Sequence, residues 1–495
     1  MAVVWAALAA MTVAFVQGME VKTTSGYITG LSEKIGDVSI NYYLGVPFAQ
    51  APVNHSRYSR PKPLNSPDVK ISATKAPPNC MQTPFPVAFG WAPVRKADKS
   101  EDCLFLNIWA PEGNSDKLKP VLVFFPGGAF IAGGITIDYY NGTVLAATGD
   151  LVVVEVNSRV GSLGYLNLNI PEADGNQGLY DQQLALQWVQ DNIASFGGDR
   201  ESVTIFGHSA GSVSVSLHLS SPISRPLFKR AIMLSGTSYY PPFAMDLNSS
   251  LDLSQTLAVR LNCADDVKTV YNSPKEILEC FKSQNVVDIL RQESHLYSDL
   301  KFFYPRIGNS IIPESPIKNV KEGNIKKTEV LVGNILGEGN LFLDLLFSVY
   351  FNLNQPKVSK TEGMELISNS MNKTGMPPQL TQALLNVYFK DVKEEDFDTV
   401  RETVSQFLGD FVFYCPTKFW VDNYSRHSPN TYYYVYTHPP SVSNELRTDW
   451  LKITHFDEVP FIFGYPTYST LKYQNAERDF SMKLVQSFTN FAKTG

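Results

Sequence analysis

Five short apolar runs set the terms on which this chain can fold: Val121-Leu122-Val123-Phe124-Phe125, Leu151-Val152-Val153-Val154-Glu155-Val156, Val203-Thr204-Ile205-Phe206, Ala231-Ile232-Met233-Leu234 and Val330-Leu331-Val332. Each has the length of a strand and is apolar at consecutive rather than alternate positions. A strand that is apolar on both sides has to be covered on both sides, which is the situation of a parallel sheet held between layers of helices. Between two of these runs, Asp181 to Ile193 has the spacing of an amphipathic helix and stops at Gly197-Gly198, so strand, helix and strand imply a right-handed crossover. Phe105 to Trp109 alternates as a strand does, Tyr432 to Tyr436 reads as a further strand, and Phe480 to Phe491 as a last helix. Asp246 to Asp299 and Gln355 to Phe407 are helical and polar, and are expected to be excursions that build walls over one edge of the sheet. Tyr43 to Pro52 and Arg57 to Pro63, rich in proline and aromatics, read as covering loops.

The chain has 495 residues, 44% of them hydrophobic and 18% charged, which is enough apolar matter for a large core and excludes disorder. A net charge of -6 without basic runs offers nothing to hold a phosphate backbone, so nucleic acid is excluded as a partner. Ala2 to Val16 is apolar apart from Thr12 and is followed by Gln17-Gly18. Residues 1–18 are expected to be a secretory signal peptide, too short to span a bilayer, with 19–495 as a single secreted domain. Five cysteines suit an oxidising compartment. The simplest arrangement is two local pairs, Cys80 with Cys103 and Cys263 with Cys280, and one odd thiol, Cys415. Asn54, Asn141, Asn248, Asn372 and Asn423 each open an Asn-x-Ser/Thr triplet and are candidate glycosylation sites.

The third apolar run leads into Gly207-His208-Ser209-Ala210-Gly211, and the residues after it, Ser212 to Leu219, read as a helix. A serine on a sharp strand-to-helix turn is pushed out of the sheet's edge, where it can act as a nucleophile. Its hydroxyl needs a base, and the base needs a carboxylate to orient it. Of the seven histidines, His208 adjoins the serine but diverges from it on a tight turn, and His218 lies inside the helix as a core residue. His55, His295, His427 and His438 have no apparent scaffold. His455 precedes the packed segment Phe456 to Gly464 and comes late in the chain, as the base does in the order serine, acid, histidine. Glu338 follows the fifth apolar run and stands between Gly337 and Gly339; Asp457 and Glu458 remain alternatives for the acid. Pro126-Gly127-Gly128-Ala129-Phe130, after the first run, can offer backbone N–H groups to a developing oxyanion, and Ala210 can offer another.

These residues, together with Leu44 to Ala49, Glu101 to Leu104, Asn107 to Trp109, Asn157 to Gly161, Asn176 to Leu179, Phe196 to Asp199 and Phe491 to Gly495, make the chain resemble the type-B carboxylesterase and cholinesterase family over nearly its whole length. The resemblance implies an α/β-hydrolase fold: a large, mostly parallel central sheet with helices on both faces and helical excursions over the active edge. It also implies Ser209, Glu338 and His455 as a catalytic triad, Gly128, Ala129 and Ala210 as oxyanion donors, and the two disulfides named above. The partner would be a small-molecule ester, with no metal or cofactor required.

The departures from that family matter as much. Pro126 stands where the family has histidine or tyrosine, and Ala129 where it often has glycine. His208 replaces the glutamate that helps cholinesterases hold a cationic substrate. Trp91 resembles the tryptophan that stacks on choline, a contact worth about 0.5–2 kcal/mol. Ser235 to Pro242 and Asp299 to Pro305 lack the aromatic pattern of a cholinesterase acyl pocket. Cys415 resembles a cysteine whose partner lies in a region beyond residue 495, where family members continue. The expectation is therefore a secreted serine carboxylesterase. The alternatives are a cholinesterase and a non-catalytic adhesion protein of the neuroligin kind.

Overall fold

Eleven strands form the central sheet in the computed structural model, which describes residues 16–83, 98–112, 117–346, 355–442 and 449–495. In chain order they are β1 (Val16–Thr23), β2 (Gly26–Ile35), β3 (Val38–Pro47), β4 (Lys70–Ser72), β5 (Phe105–Pro111), β6 (Lys119–Phe125), β7 (Val152–Val156), β8 (Gly198–His208), β9 (Arg230–Leu234), β10 (Val330–Ile335) and β11 (Thr431–Tyr436). Their spatial order is β1-β2-β3-β5-β7-β6-β8-β9-β10-β11, with β4 beside β2. Pairing is antiparallel from β1 through β5 to β7, and parallel from β7 onward. The sheet is thus mixed: the apolar runs make its parallel half, and hairpins make the other.

Alternate side chains of the parallel strands enter two separate cores. Val121, Val123, Phe125, Val203, Ile205 and Met233 pack with Trp188 and Val189 of helix α1 (Gln177–Asn192) and Val215 and Leu219 of helix α2 (Ala210–Ser220). Leu122, Phe124, Phe206, Ile232 and Leu234 pack on the other side with Phe463, and with Val485 and Phe488 of the C-terminal helix Asn475–Thr494. Burial on both faces is what consecutive apolar residues require.

One expectation needs revision. Tyr43 to Pro47 is the end of strand β3, not a covering loop. Its alternation is interrupted because the register slips between Leu44 and Val46, where Gly45 has a φ of +80°. β1 begins at Val16, two residues ahead of the expected cleavage point, and its pairing with β2 is irregular between Gln17 and Glu20. Residues 1–15 lie outside the described part of the chain.

The polar stretches are helical. Leu247–Arg260, Pro274–Ser283 and Val286–Tyr297 form one group; α3 (Lys360–Lys373), α4 (Pro378–Tyr388) and α5 (Phe397–Gly409) form the other. Cys80 is joined to Cys103 and Cys263 to Cys280. Arg57 ties these two regions together. Its guanidinium donates to Glu101 at 2.5 and 2.7 Å and to the carbonyls of Phe281 and Gln284 at 3.2 and 2.9 Å.

The strand-to-helix turn from β8 to α2 depends on two close backbone approaches. A Cβ on Gly211 would overlap the carbonyl oxygen of Phe125 at the end of β6, and one on Gly207 would overlap the carbonyl of Gly211. Neither glycine has a positive φ, so the demand is for space, not for a left-handed backbone. Gly211→Ala is therefore expected to lower the unfolding free energy by about 1–3 kcal/mol through overpacking, measurable as a fall in the urea midpoint at unchanged slope.

Candidate active site

Ser209 sits at the tip of this turn with φ +55° and ψ -121°, a strained conformation for a residue with a side chain. Two backbone bonds hold it there. Its N–H donates to the carbonyl of Leu234 at 2.8 Å, and its carbonyl accepts from Val213 N–H at 2.9 Å. The serine is half-buried and lines a cavity of about 1960 Å³.

His455 and Glu338 come together from elements 117 residues apart in sequence. Glu338 lies just past β10 and is fully buried. Its Oε1 accepts from Asn334 Nδ2 at 2.8 Å and from the backbone N–H of Ile335 at 3.1 Å, while Oε2 lies 2.6 Å from His455 Nδ1. The flanking glycines again answer to space: a Cβ on Gly337 would overlap the carbonyl oxygen of Ile453, and one on Gly339 that of Ser405. The other ring nitrogen of His455, Nε2, is buried and makes no hydrogen bond among the described residues. His455 lines the same cavity as Ser209.

The remaining candidates are placed elsewhere. Asp457 accepts from the backbone N–H of Thr454 at 2.8 Å, and Glu458 accepts from the Ser235 hydroxyl at 3.1 Å. His218 is a buried bridge, with Nδ1 2.9 Å from Ser224 Oγ and Nε2 3.0 Å from Gln182 Oε1, and burial pushes its imidazole down to about 3. His208 is 2% exposed, and neither of its ring nitrogens has a partner among the described residues. Its ring lies 4.6 Å from that of His455 and 5.2 Å from that of Phe456. Burial, and then the nearby His455, hold the His208 imidazole well below the ordinary histidine value, so it is neutral.

Gly128, Ala129 and Ala210 all line the cavity. Among the described residues their N–H groups donate no hydrogen bond. The turn is wound so tightly that Ala129 and Phe130 have φ of +54° and +62°. The methyl of Ala129 therefore sits on left-handed backbone at a cost of about 1–2 kcal/mol.

The carboxylesterase family profile matches residues 17–495. The chain belongs to the carboxylesterase family. It is 32% identical to an acetylcholinesterase of Leptinotarsa decemlineata and 34% identical to one of Bungarus fasciatus, each alignment covering 96% of this chain and 78% of the relative. A cholinesterase of Mus musculus is 34% identical with the same coverage. This carboxylesterase is a serine carboxylic-ester hydrolase, and its mixed sheet with surrounding helices is the α/β-hydrolase fold. No helix among the described residues is long and apolar enough to cross a membrane.

Sequence reading missed two parts of the carboxylesterase's cavity. The stretches around Tyr240 and Tyr304 are aromatic walls after all: Tyr240 packs on Phe243 at 4.9 Å and on Phe411 at 5.6 Å, and Phe243 on Tyr304 at 5.5 Å. Their side chains meet across three separate segments, so spacing within any one of them carries no signal. The second is Phe413, which stacks on His455 at 4.5 Å with 28° between the rings. Pro416, inside an otherwise helical stretch, was the available signal. Trp91 lies outside the described residues.

Glu458 offers a test of the site's electrostatics. Burial, then the nearby Glu338, raises its carboxyl from 4.5 to about 8. The folded chain therefore keeps a proton that the unfolded chain releases between those values. The resulting stabilisation is complete below about pH 4.5 and is lost as pH rises toward 8. Glu458→Gln, which keeps the neutral form, is expected to raise the melting temperature at pH 8 relative to the parent, with the gap closing toward pH 5.

Proposed function

We propose that Ser209, His455 and Glu338 work as one catalytic unit in the hydrolysis of neutral carboxylic esters. The observation that carries this reading is the 2.6 Å bond between His455 Nδ1 and Glu338 Oε2. With Nδ1–H donating to the carboxylate, Nε2 is left as the acceptor, the tautomer a general base needs. His455 takes the proton of Ser209, whose oxygen attacks the ester carbonyl. The amides of Gly128, Ala129 and Ala210 hold the oxyanion, and Glu338 stabilises the imidazolium. His455 then gives the proton to the departing alcohol, and water repeats the sequence on the acyl-enzyme to free the acid. The missing bond from Nε2 is compatible with this order of events, because catalytic hydrogen bonds often tighten only with substrate in place.

The second reading is a cholinesterase. It is favoured by the names of the relatives and by the aromatic walls. Against it stands His208: a neutral imidazole offers a cationic alcohol no opposing charge next to the nucleophile. The presence of Ser209, Glu338 and His455 argues against the adhesion-protein reading. The proposal includes residues 1–18 as a signal peptide, 19–495 as the secreted domain, and glycan on the sequons. Asn54, Asn248 and Asn372 are exposed, and these three are the ones expected to be occupied.

Ser209→Ala is expected to lower kcat on p-nitrophenyl acetate by about 10⁶-fold if the three residues act together, and an organophosphate should label Ser209 in the parent. Parental rates in that variant would sink the mechanism. A neutral thioester should be hydrolysed with a higher kcat/KM than acetylthiocholine of equal acyl length, and the reverse preference would favour the cholinesterase. Expression through a secretory pathway, followed by enzymatic deglycosylation and peptide mapping, should report glycan at the three exposed asparagines.

A further inference from the structure

Among the described residues the imidazole of His455 has one hydrogen bond, from Nδ1 to Glu338. With its Cβ–Cγ bond and this one polar anchor, the ring can still shift through small changes of its side-chain torsions, and such a shift carries Nε2 away from the serine. Two further rings restrict it. Phe413 stacks on it with centroids 4.5 Å apart, and His208 packs against it at 4.6 Å with 43° between the planes. Both residues line the cavity next to Ser209.

Each contact has a local cause in the chain. The helix that begins as α5 runs on through Asp410–Tyr414, where it opens into a π-turn, and continues as Cys415–Tyr424. Pro416 has no N–H for the carbonyl of Val412, and its ring crowds that carbonyl, so the turn before it widens. The widened turn is fastened at both ends, by Tyr388 hydroxyl to Asp410 at 2.8 Å and Tyr414 hydroxyl to the carbonyl of Ile335 at 3.0 Å. Phe413 projects from it, and Phe342 stacks on Phe413 at 5.8 Å. His208 ends β8 and is buried, yet neither nitrogen of its ring has a hydrogen-bond partner among the described residues. A buried imidazole without polar partners is an expensive way to fill space, unless the ring contact itself is what the position needs.

We propose that Phe413 and His208 are positioning residues that grip the His455 ring from two sides and keep Nε2 within reach of Ser209. The proposal rests on the triad reading given above. It goes beyond that reading by assigning roles to two residues that exchange no proton and need not touch the substrate. It also gives the π-turn a purpose: it carries the stacking ring into the site.

The test uses alanine and ring-keeping variants of the whole enzyme. Phe413→Ala and His208→Ala should each lower kcat on p-nitrophenyl acetate by about 10- to 100-fold, the scale of a small misplacement of a reacting group, with KM little changed. Phe413→Tyr and His208→Phe should recover most of that loss, because they restore a flat ring. Phe413→Leu, which fills the volume without a flat face, should behave as the alanine variant does, and carries the test if alanine does not fold. The proposal is overturned if the alanine and leucine variants keep parental kcat. It is also overturned if the ring-keeping variants are no better than alanine, or if the loss appears in KM alone. Failure of the triad reading is distinguishable, since Ser209→Ala would then stay active.

Discussion

Parallel register is the constraint on which the rest of this structure depends. Phe125 at the end of β6 pairs with Gly207, His208 with Leu234, and Leu234 in turn with Gly333. Four strands running the same way thus finish level with one another, and the chain leaves each of them at the same edge of the sheet. The turn at 126–130, Ser209 and Ser235 begin directly off that edge, and Glu338 stands three residues past the end of β10. Ligand sites in open α/β sheets form at the carboxyl ends of the strands for this reason. In this chain, His455 is the one member of the proposed unit that does not leave one of these strands, and it is also the one held by packing as much as by hydrogen bonding.

Two buried carboxyls near the site show how local donors sort similar groups. Glu338 has three donors around it, from Asn334, Ile335 and His455, which satisfy both of its oxygens. Glu458 has one, from Ser235, and its second oxygen has no partner among the described residues. Burial therefore pushes Glu458 toward its neutral form, which needs fewer partners. Placing a neutral acid and a neutral imidazole, His208, beside His455 keeps further full charges away from the proposed catalytic unit. In a water-poor site such charges would act strongly on one another.

Much of the fold was legible because it is written in local patterns. Consecutive apolar residues mark a strand buried on both faces, and the turn at Ser209 is announced by two glycines that nothing larger can replace. The N-terminal hairpins were harder to see. Tyr43 to Pro47 looks like a loop by composition, and the alternation that identifies a strand is broken at Gly45 by a register slip. In the site, chain order pointed to His455, but the choice among Glu338, Asp457 and Glu458 could not be made from spacing. It depends on how the chain folds back over the 117 residues that separate Glu338 from His455. The ring packing around Tyr240 and Tyr304 was invisible for the same reason, as contacts between segments leave no period in any one of them.

That long separation has a consequence for how the enzyme comes into being. In the proposed mechanism the nucleophile, its elbow, the amide-bearing turn and the acid are all encoded before residue 340, and the base comes after the helices of the second excursion. During synthesis from the N-terminus, the sheet edge can assemble with Ser209 and Glu338 in position while the chain still has no base. The C-terminal segment then works as the arming piece of the molecule. A chain without that segment would carry the proposed nucleophile without its base, and by this mechanism reactivity toward esters would arrive only with the folding of the last segment.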